Sequence, residues 1–166
     1  MKRCTLLLLL LLPLLTLAQP IVVRWAYGPF GTPGDAAFIV EGDRIYQACG
    51  PFGSKGPCMY VLEEDAVFHA ADAFGRRGYG AFVLEVDKLY RCSGTLCNKG
   101  AGVLVIERNK VFRGEGPFCN KTEGAFVIEG NMIFLAEGPF GMKGDAILMM
   151  DAEVPQLALL AILAGL

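Results

Sequence analysis

Two columns of opposite charge run through the chain at a spacing of 22 residues. Carboxylates stand at Glu41, Glu63, Glu85, Glu107, Glu129 and Asp151, and cations at Lys55, Arg77, Lys99, Lys121 and Lys143, with Pro33 in the sixth cation place. Columns of this kind could do two sorts of chemistry. The carboxylates, helped by the Asp or Asn two positions on at 43, 65, 87, 109 and 131, supply hard oxygen ligands of the type Ca²⁺ prefers. The loop cations could hold an anionic glycan. The plainer expectation is that both columns are solvated strand and loop ends that pair across strands for ~0.2 to 1 kcal/mol each. A repeated fold repeats every surface residue it carries, so this expectation is preferred.

The remaining reactive side chains are few. There are six cysteines and one histidine. Cys49 and Cys58 bracket one glycine-rich connection and are expected to form a disulfide; Cys92 and Cys97 lie within another and could form a local staple. That leaves Cys119 over. Cys97 and Cys119 occupy one column in neighbouring repeats, about 9.5 Å apart across two strands, whereas a bridge needs less than ~7 Å. A zinc site would need close-spaced cysteine couples, and none is present. His69 reads as a polar strand end, and the loop serines Ser54 and Ser93 have no orienting acid and base. No catalytic set and no cofactor is therefore expected. Asn120-Lys121-Thr122 matches the glycosylation pattern.

The elements that carry these columns read as β-hairpins. Each repeat has a loop apolar (Phe30, Phe52, Phe74, Leu96, Phe118, Phe140), usually after a Gly-Pro step, and then a short apolar run such as Phe38-Ile39-Val40 that ends in the acid. A second apolar pair such as Ile45-Tyr46 follows. The runs are short, β-branched or aromatic, and bounded by Gly, Pro, Asp and Asn, which favours strands over helices. Gly42-Asp43 and Gly130-Asn131 suit a two-residue type II′ turn. Glu64-Asp65, Val86-Asp87 and Arg108-Asn109 lack glycine, so longer or bulged turns are expected there. A two-residue turn sets 41 opposite 44 and 39 opposite 46, which puts Phe38, Val40 and Ile45 and their equivalents on a core face. Ile39, Tyr46 and the charge pairs Glu41/Arg44, Glu85/Lys88 and Glu107/Lys110 take the other face. The connections of roughly ten residues are expected to fold back across that second face, with the loop aromatic as anchor.

The two ends of the array are complementary. Ile21 to Trp25 aligns with the second strand of a hairpin and Ala146 to Asp151 with a first strand. The expected fold is all-β: six 22-residue hairpin repeats closed into a ring or barrel by pairing of the terminal half-repeats, with an open hairpin solenoid as the alternative. Strands of five or six residues are too short for a membrane barrel, which needs about nine to eleven.

Outside the array, residues 1–18 have a basic start, a leucine-rich run and a small-residue end, the pattern of a secretory signal. The repeat domain spans 19–151. The apolar tail 152–166 is too short to span a bilayer and could plug or cap the repeats, bind a partner, or serve as a removed lipid-anchor signal. With 15 basic and 17 acidic residues spread along the chain, no dense basic patch suggests nucleic acid. The expected function is that of an exported, non-enzymatic binding or structural module of the cell envelope or extracellular space, its partner an envelope protein or glycan. A carbohydrate-binding module is the alternative, with Phe30, Phe52, Phe74, Phe118 and Phe140 and the five loop cations as candidate ligand contacts. A secreted enzyme comes second to it.

Overall fold

A computed structural model describes residues 19–166, so the predicted leader and Cys4 lie outside the described residues. The chain forms strands β1 (Ile21–Tyr27), β2 (Thr32–Glu41), β3 (Arg44–Cys49), β4 (Ser54–Glu63), β5 (Ala66–Ala70), β6 (Arg77–Glu85), β7 (Lys88–Ser93), β8 (Asn98–Glu107), β9 (Lys110–Glu115), β10 (Asn120–Glu129), β11 (Met132–Glu137) and β12 (Met142–Met150), followed by helix α1 (Gln156–Ala164). Every strand pairs antiparallel with its sequence neighbours, and β1 pairs with β12, which closes a twelve-stranded barrel. At this seam Val23, Arg24 and Trp25 face Met150, Met149 and Leu148. No turn joins the two strands there. Instead Asp151 exchanges bonds with Val22: its carboxylate accepts the Val22 N–H at 2.9 Å and its own N–H donates to the Val22 carbonyl.

All five tight turns are two residues long, including the three expected to differ: Glu63 faces Ala66, Glu85 faces Lys88 and Glu107 faces Lys110. Glu64, Val86 and Arg108 take the positive φ of 53°, 58° and 57° that glycine supplies at Gly42 and Gly130. Ladder pairing on both sides outweighs the local cost, which for a non-glycine residue is about 1–3 kcal/mol.

The glycine-rich connections are largely strand. The first strand of each full hairpin runs nine or ten residues, rather than five or six, because the segment after the loop apolar joins it through an irregular register. These long ends do fold back. A methyl added to Gly53 would stand 3.1 Å from Ala36 Cβ and 3.5 Å from Val22, so the β3–β4 loop lies on the outside of the β1–β2 hairpin. The same contact recurs as Cys58–Gly75, Gly80–Cys97, Gly102–Cys119, Gly124–Gly141 and Ala146–Gly31. Backbone bonds fasten it: the N–H groups of Cys58, Gly80, Gly102, Gly124 and Ala146 donate to Ala73, Gly94, Gly116, Gly138 and Gly28 carbonyls at 2.8–3.2 Å.

The inner wall is apolar, as the hairpin register requires. Val23, Ile45, Val67, Leu89, Val111 and Ile133 are fully buried, next to Tyr60, Phe82, Leu104, Phe126 and Leu148. Eight strands make a barrel that side chains alone can fill; twelve leave a wider lumen. The C-terminal helix occupies part of it. Ala158 through Leu163 of α1 are buried on every face of the helix, which suits a segment without a polar stripe.

Candidate functional site

The outer wall carries both charge columns, and they meet. Lys55, Arg77, Lys99, Lys121 and Lys143 contact Glu41, Glu63, Glu85, Glu107 and Glu129 at 2.6–3.1 Å. Each cation also lies over one ring, Tyr46, Phe68, Tyr90, Phe112 or Phe134, at 3.8–4.8 Å from its centroid. The result is five equivalent clasps of acid, cation and aromatic ring, spanning three consecutive strands. The hydrogen bonds to Glu41 and Glu85 raise the pKa of Lys55 and Lys99 above the ordinary lysine value. The paired groups are about half exposed, so each ion pair is worth about 0–1 kcal/mol and the ring contact about as much. Hairpin register alone suggested a different pairing for the acids. Arg44, Lys88 and Lys110 instead donate to the loop carbonyls of Gly75, Phe118 and Phe140.

The clasp is missing at the seam. Asp151, Arg24 and Pro33 occupy its three places; Asp151 holds Val22, and Arg24 reaches the Pro51 carbonyl at 3.0 Å. Among the described residues no three of His, Cys, Asp and Glu converge as a metal ligand set.

The loop apolars do not anchor the connections. Phe30, Phe52, Phe74, Leu96, Phe118 and Phe140 are 74–92% exposed, while the rings of the clasps one strand away are buried. The reason lies in the loop backbone. The residue after each tip, glycine or cysteine with φ between 49° and 83°, faces the neighbouring hairpin and turns the tip outward. Closure of six equivalent repeats sets the tips in a belt around the barrel. One loop departs from the others: Asp72 stands where glycine leads the rest, and its carboxylate accepts the Phe74 and Arg76 N–H groups. Those bonds, the Arg76 amide first, hold its carboxyl below the usual aspartate range.

The predicted Cys49–Cys58 disulfide is absent, and the bridge joins Cys92 to Cys97, with Cα atoms 4.8 Å apart. Cys49 is exposed at a strand end. Cys58 is buried on the outer wall, its thiol toward the Ile45 and Tyr60 carbonyls. It fills the place that Ala36 and Ala146 take elsewhere, and burial pushes its pKa up. Cys119 is buried likewise against Gly102 and Gly114, its pKa also raised by burial. His69 is exposed, with its ring 5.4 Å from that of Tyr60. Asn120 is exposed at the start of β10.

What sequence reasoning missed is the clasp and the small contact column. Both were visible as spacings: acid, ring five residues on, cation nine further, and a small residue at 36, 58, 80, 102, 124 and 146. The arrangement is that of a clasped, plugged β-barrel with a belt of apolar tips. No protein family, no curated protein and no solved structure matches the chain.

Proposed function

We propose that the chain is an exported, non-enzymatic binding module of the cell envelope or extracellular space that meets its partner through the belt of loop tips. The observation that carries this reading is the exposure of those six apolar side chains on a frame that buries its other ring columns. A closed barrel has no strand edge to offer, and the two charge columns of the outer wall engage each other. The tips are the apolar surface that every repeat presents, beside single exposed residues such as Tyr27, Tyr79 and Val86. Export is supported by the pattern of residues 1–18 and by the Cys92–Cys97 bridge, a bond typical of oxidising compartments. No helix among the described residues is long and apolar enough to cross a membrane. Strand length does not argue against a membrane barrel, but five outward-facing ion pairs do.

A carbohydrate-binding module is the second reading, favoured by five exposed phenylalanine rings on a rigid frame, flat faces on which a sugar ring can lie. The test compares the protein with a variant carrying Ser at Phe30, Phe52, Phe74, Phe118 and Phe140, on a glycan array and on extracted envelope material. The expected result is retention of the parent and loss of retention by the variant at an unchanged melting temperature. Equal retention of both, or of neither, overturns the proposal. Retention on one sugar class alone selects the second reading.

A further inference from the structure

The lumen is plugged unevenly. At the tight-turn end the innermost wall layer consists of Val40, Leu62, Leu84, Ile106, Ile128 and Met150; Val40 and Met150 are buried, and the other four are only half-buried. Helix α1 sits nearest β4, β5 and β8. Beside its first turns, against Ile106, Ile128 and Met150, lies a cavity of about 540 Å³ floored by Leu159 and Leu160. That volume falls within the ~300–1,000 Å³ of small-molecule sites, which combine an apolar lining with a few polar groups.

The rim supplies the polar groups: Arg108 and Asn131 from two tight turns, Glu153 and Gln156 from the chain entering the lumen. Every cation of the clasp column is held by a carboxylate, whereas among the described residues Arg108 forms no ion pair. Arg108 is also one of the three turn residues that hold a positive φ without glycine. The Asn131 amide donates to the Met150 carbonyl at 3.1 Å, which fixes the side chain at the rim. Helix α1 begins at this mouth with no side-chain cap and no acid in its first turn.

We infer that this cavity is a binding site for a small amphiphile whose apolar body lies against Ile106, Ile128, Leu159 and Leu160 and whose acidic head is held by Arg108. Glu153 is the acid on the rim, and it selects against a second negative charge on the head. The site is separate from the belt of loop tips and stands whether or not those tips bind a partner.

The probe is dodecanoate below its micellar range, displacing 1-anilinonaphthalene-8-sulfonate from the intact purified protein. One saturable site is expected. Ala152→Trp, which places an indole in the mouth, and Arg108→Gln, which removes the head contact, should each weaken displacement by about tenfold or more. Dodecylamine should displace less well than dodecanoate. A measurement on the unsubstituted protein stands apart from any folding defect: dodecanoate with a nitroxide on its terminal carbon should broaden the methyl signals of Ile106, Ile128 and Met150 before those of Val67 and Val83. Absence of saturable displacement, preference for the amine, or broadening elsewhere overturns the inference. Displacement that survives Ala152→Trp but is lost in the five-Phe→Ser variant assigns the probe to the loop tips and overturns it equally.

Discussion

Five of the six joints between neighbouring repeats carry a clasp, and the sixth, where β12 meets β1 and β2, does not. All three positions change together there: Asp151 for Glu, Arg24 for the ring, Pro33 for the cation. Yet the seam keeps its ladder, its apolar wall residues Val23 and Leu148, and the loop contact of Gly31 on Ala146. The difference separates what closes the barrel from what trims it. Register, wall and loop contact are present at every joint and are the structural minimum; the clasp is an addition that a joint can lack. The seam also has no covalent turn, so bringing its two strands together closes a loop of the whole barrel rather than of two residues, at a larger entropic cost. It should be the first joint to open.

The largest test of that comparison acts through the plug. Leu160 is almost fully buried in α1, and Leu160→Ala should cost about 2–5 kcal/mol, the range for a leucine deleted from a packed core. Hydrogen exchange on this variant locates where the loss is felt. The amides of Val23, Arg24 and Trp25 should exchange sooner than the equivalent amides of β5, β7, β9 and β11. Uniform exchange around the ring would mean that the seam is as strong as the clasped joints.

The loop contact offers the next test, because it is common to seam and joints. At each of the six contacts at least one partner is glycine: Gly53, Gly75, Gly80, Gly102, Gly31, and both Gly124 and Gly141. A second side chain has no room. Gly102→Ala, facing Cys119, should therefore cost about 1–3 kcal/mol as overpacking. Adding Cys119→Gly recreates the Ala36–Gly53 arrangement and should recover most of the loss, with the melting temperature as readout. If the double variant is no better than the single, the contact does not work as a one-sided fit.

These residues also mark what was legible in the sequence. Hairpins, the apolar face of Phe38, Val40 and Ile45, and closure through Ile21 to Trp25 follow from period-two patterning and from complementary ends, which are local properties. The fold-back of the connections across the face of Ile39 and Tyr46 was expected from their length and from the apolar patch that exposed loop aromatics would form. What covers that face was not. Phe52 and its equivalents looked like anchors because they are aromatic, but the positive φ of the next residue and the room left by Ala36 and its column decide where the loop goes. That contact pairs residues of different repeats, and spacing within one repeat does not reveal it. Glu64, Val86 and Arg108 were unreadable for a related reason: the ladder on both sides imposes a turn that their own preference opposes.

Two smaller tests rank the joints against one another. The seam has no tight turn and hence no strained turn residue, whereas Val86 is β-branched, exposed and held at φ 58°. Val86→Gly should stabilise by about 1 kcal/mol, since the strain relieved exceeds the entropy that glycine adds to the unfolded chain. A lower melting temperature would mean that the turn costs nothing as it stands. Asp72 tests the one loop without a leading glycine. Its pKa is lowered in the folded state, so its contribution is present above the unfolded value near ~3.9 and is lost as pH falls through the lower folded value. Asp72→Asn should thus melt below the parent at pH 7, and the gap should narrow as pH drops below about 4. A gap independent of pH would show that the amide contacts act without the charge.

The smallest effect bears most directly on the comparison. If the clasp is an addition rather than a requirement, installing one at the seam should succeed and gain little. Arg24→Tyr supplies the ring and Pro33→Lys the cation, with Asp151 already in the acid's place. The gain should not exceed about 1 kcal/mol, and part of it should vanish in high salt, because half-exposed pairs are screened. The loss of the Arg24 bond to Pro51 subtracts from it. The converse change, Lys121→Met in an existing clasp, should cost a similar amount while leaving the barrel closed, since the methionine still covers Phe112. Exchange at the seam then discriminates: the added clasp should slow the amides of Val23 to Trp25 relative to the rest of the ring. A cost of several kcal/mol for Lys121→Met would make the clasp part of the closing machinery, and the seam would then need some other source of strength to close without one.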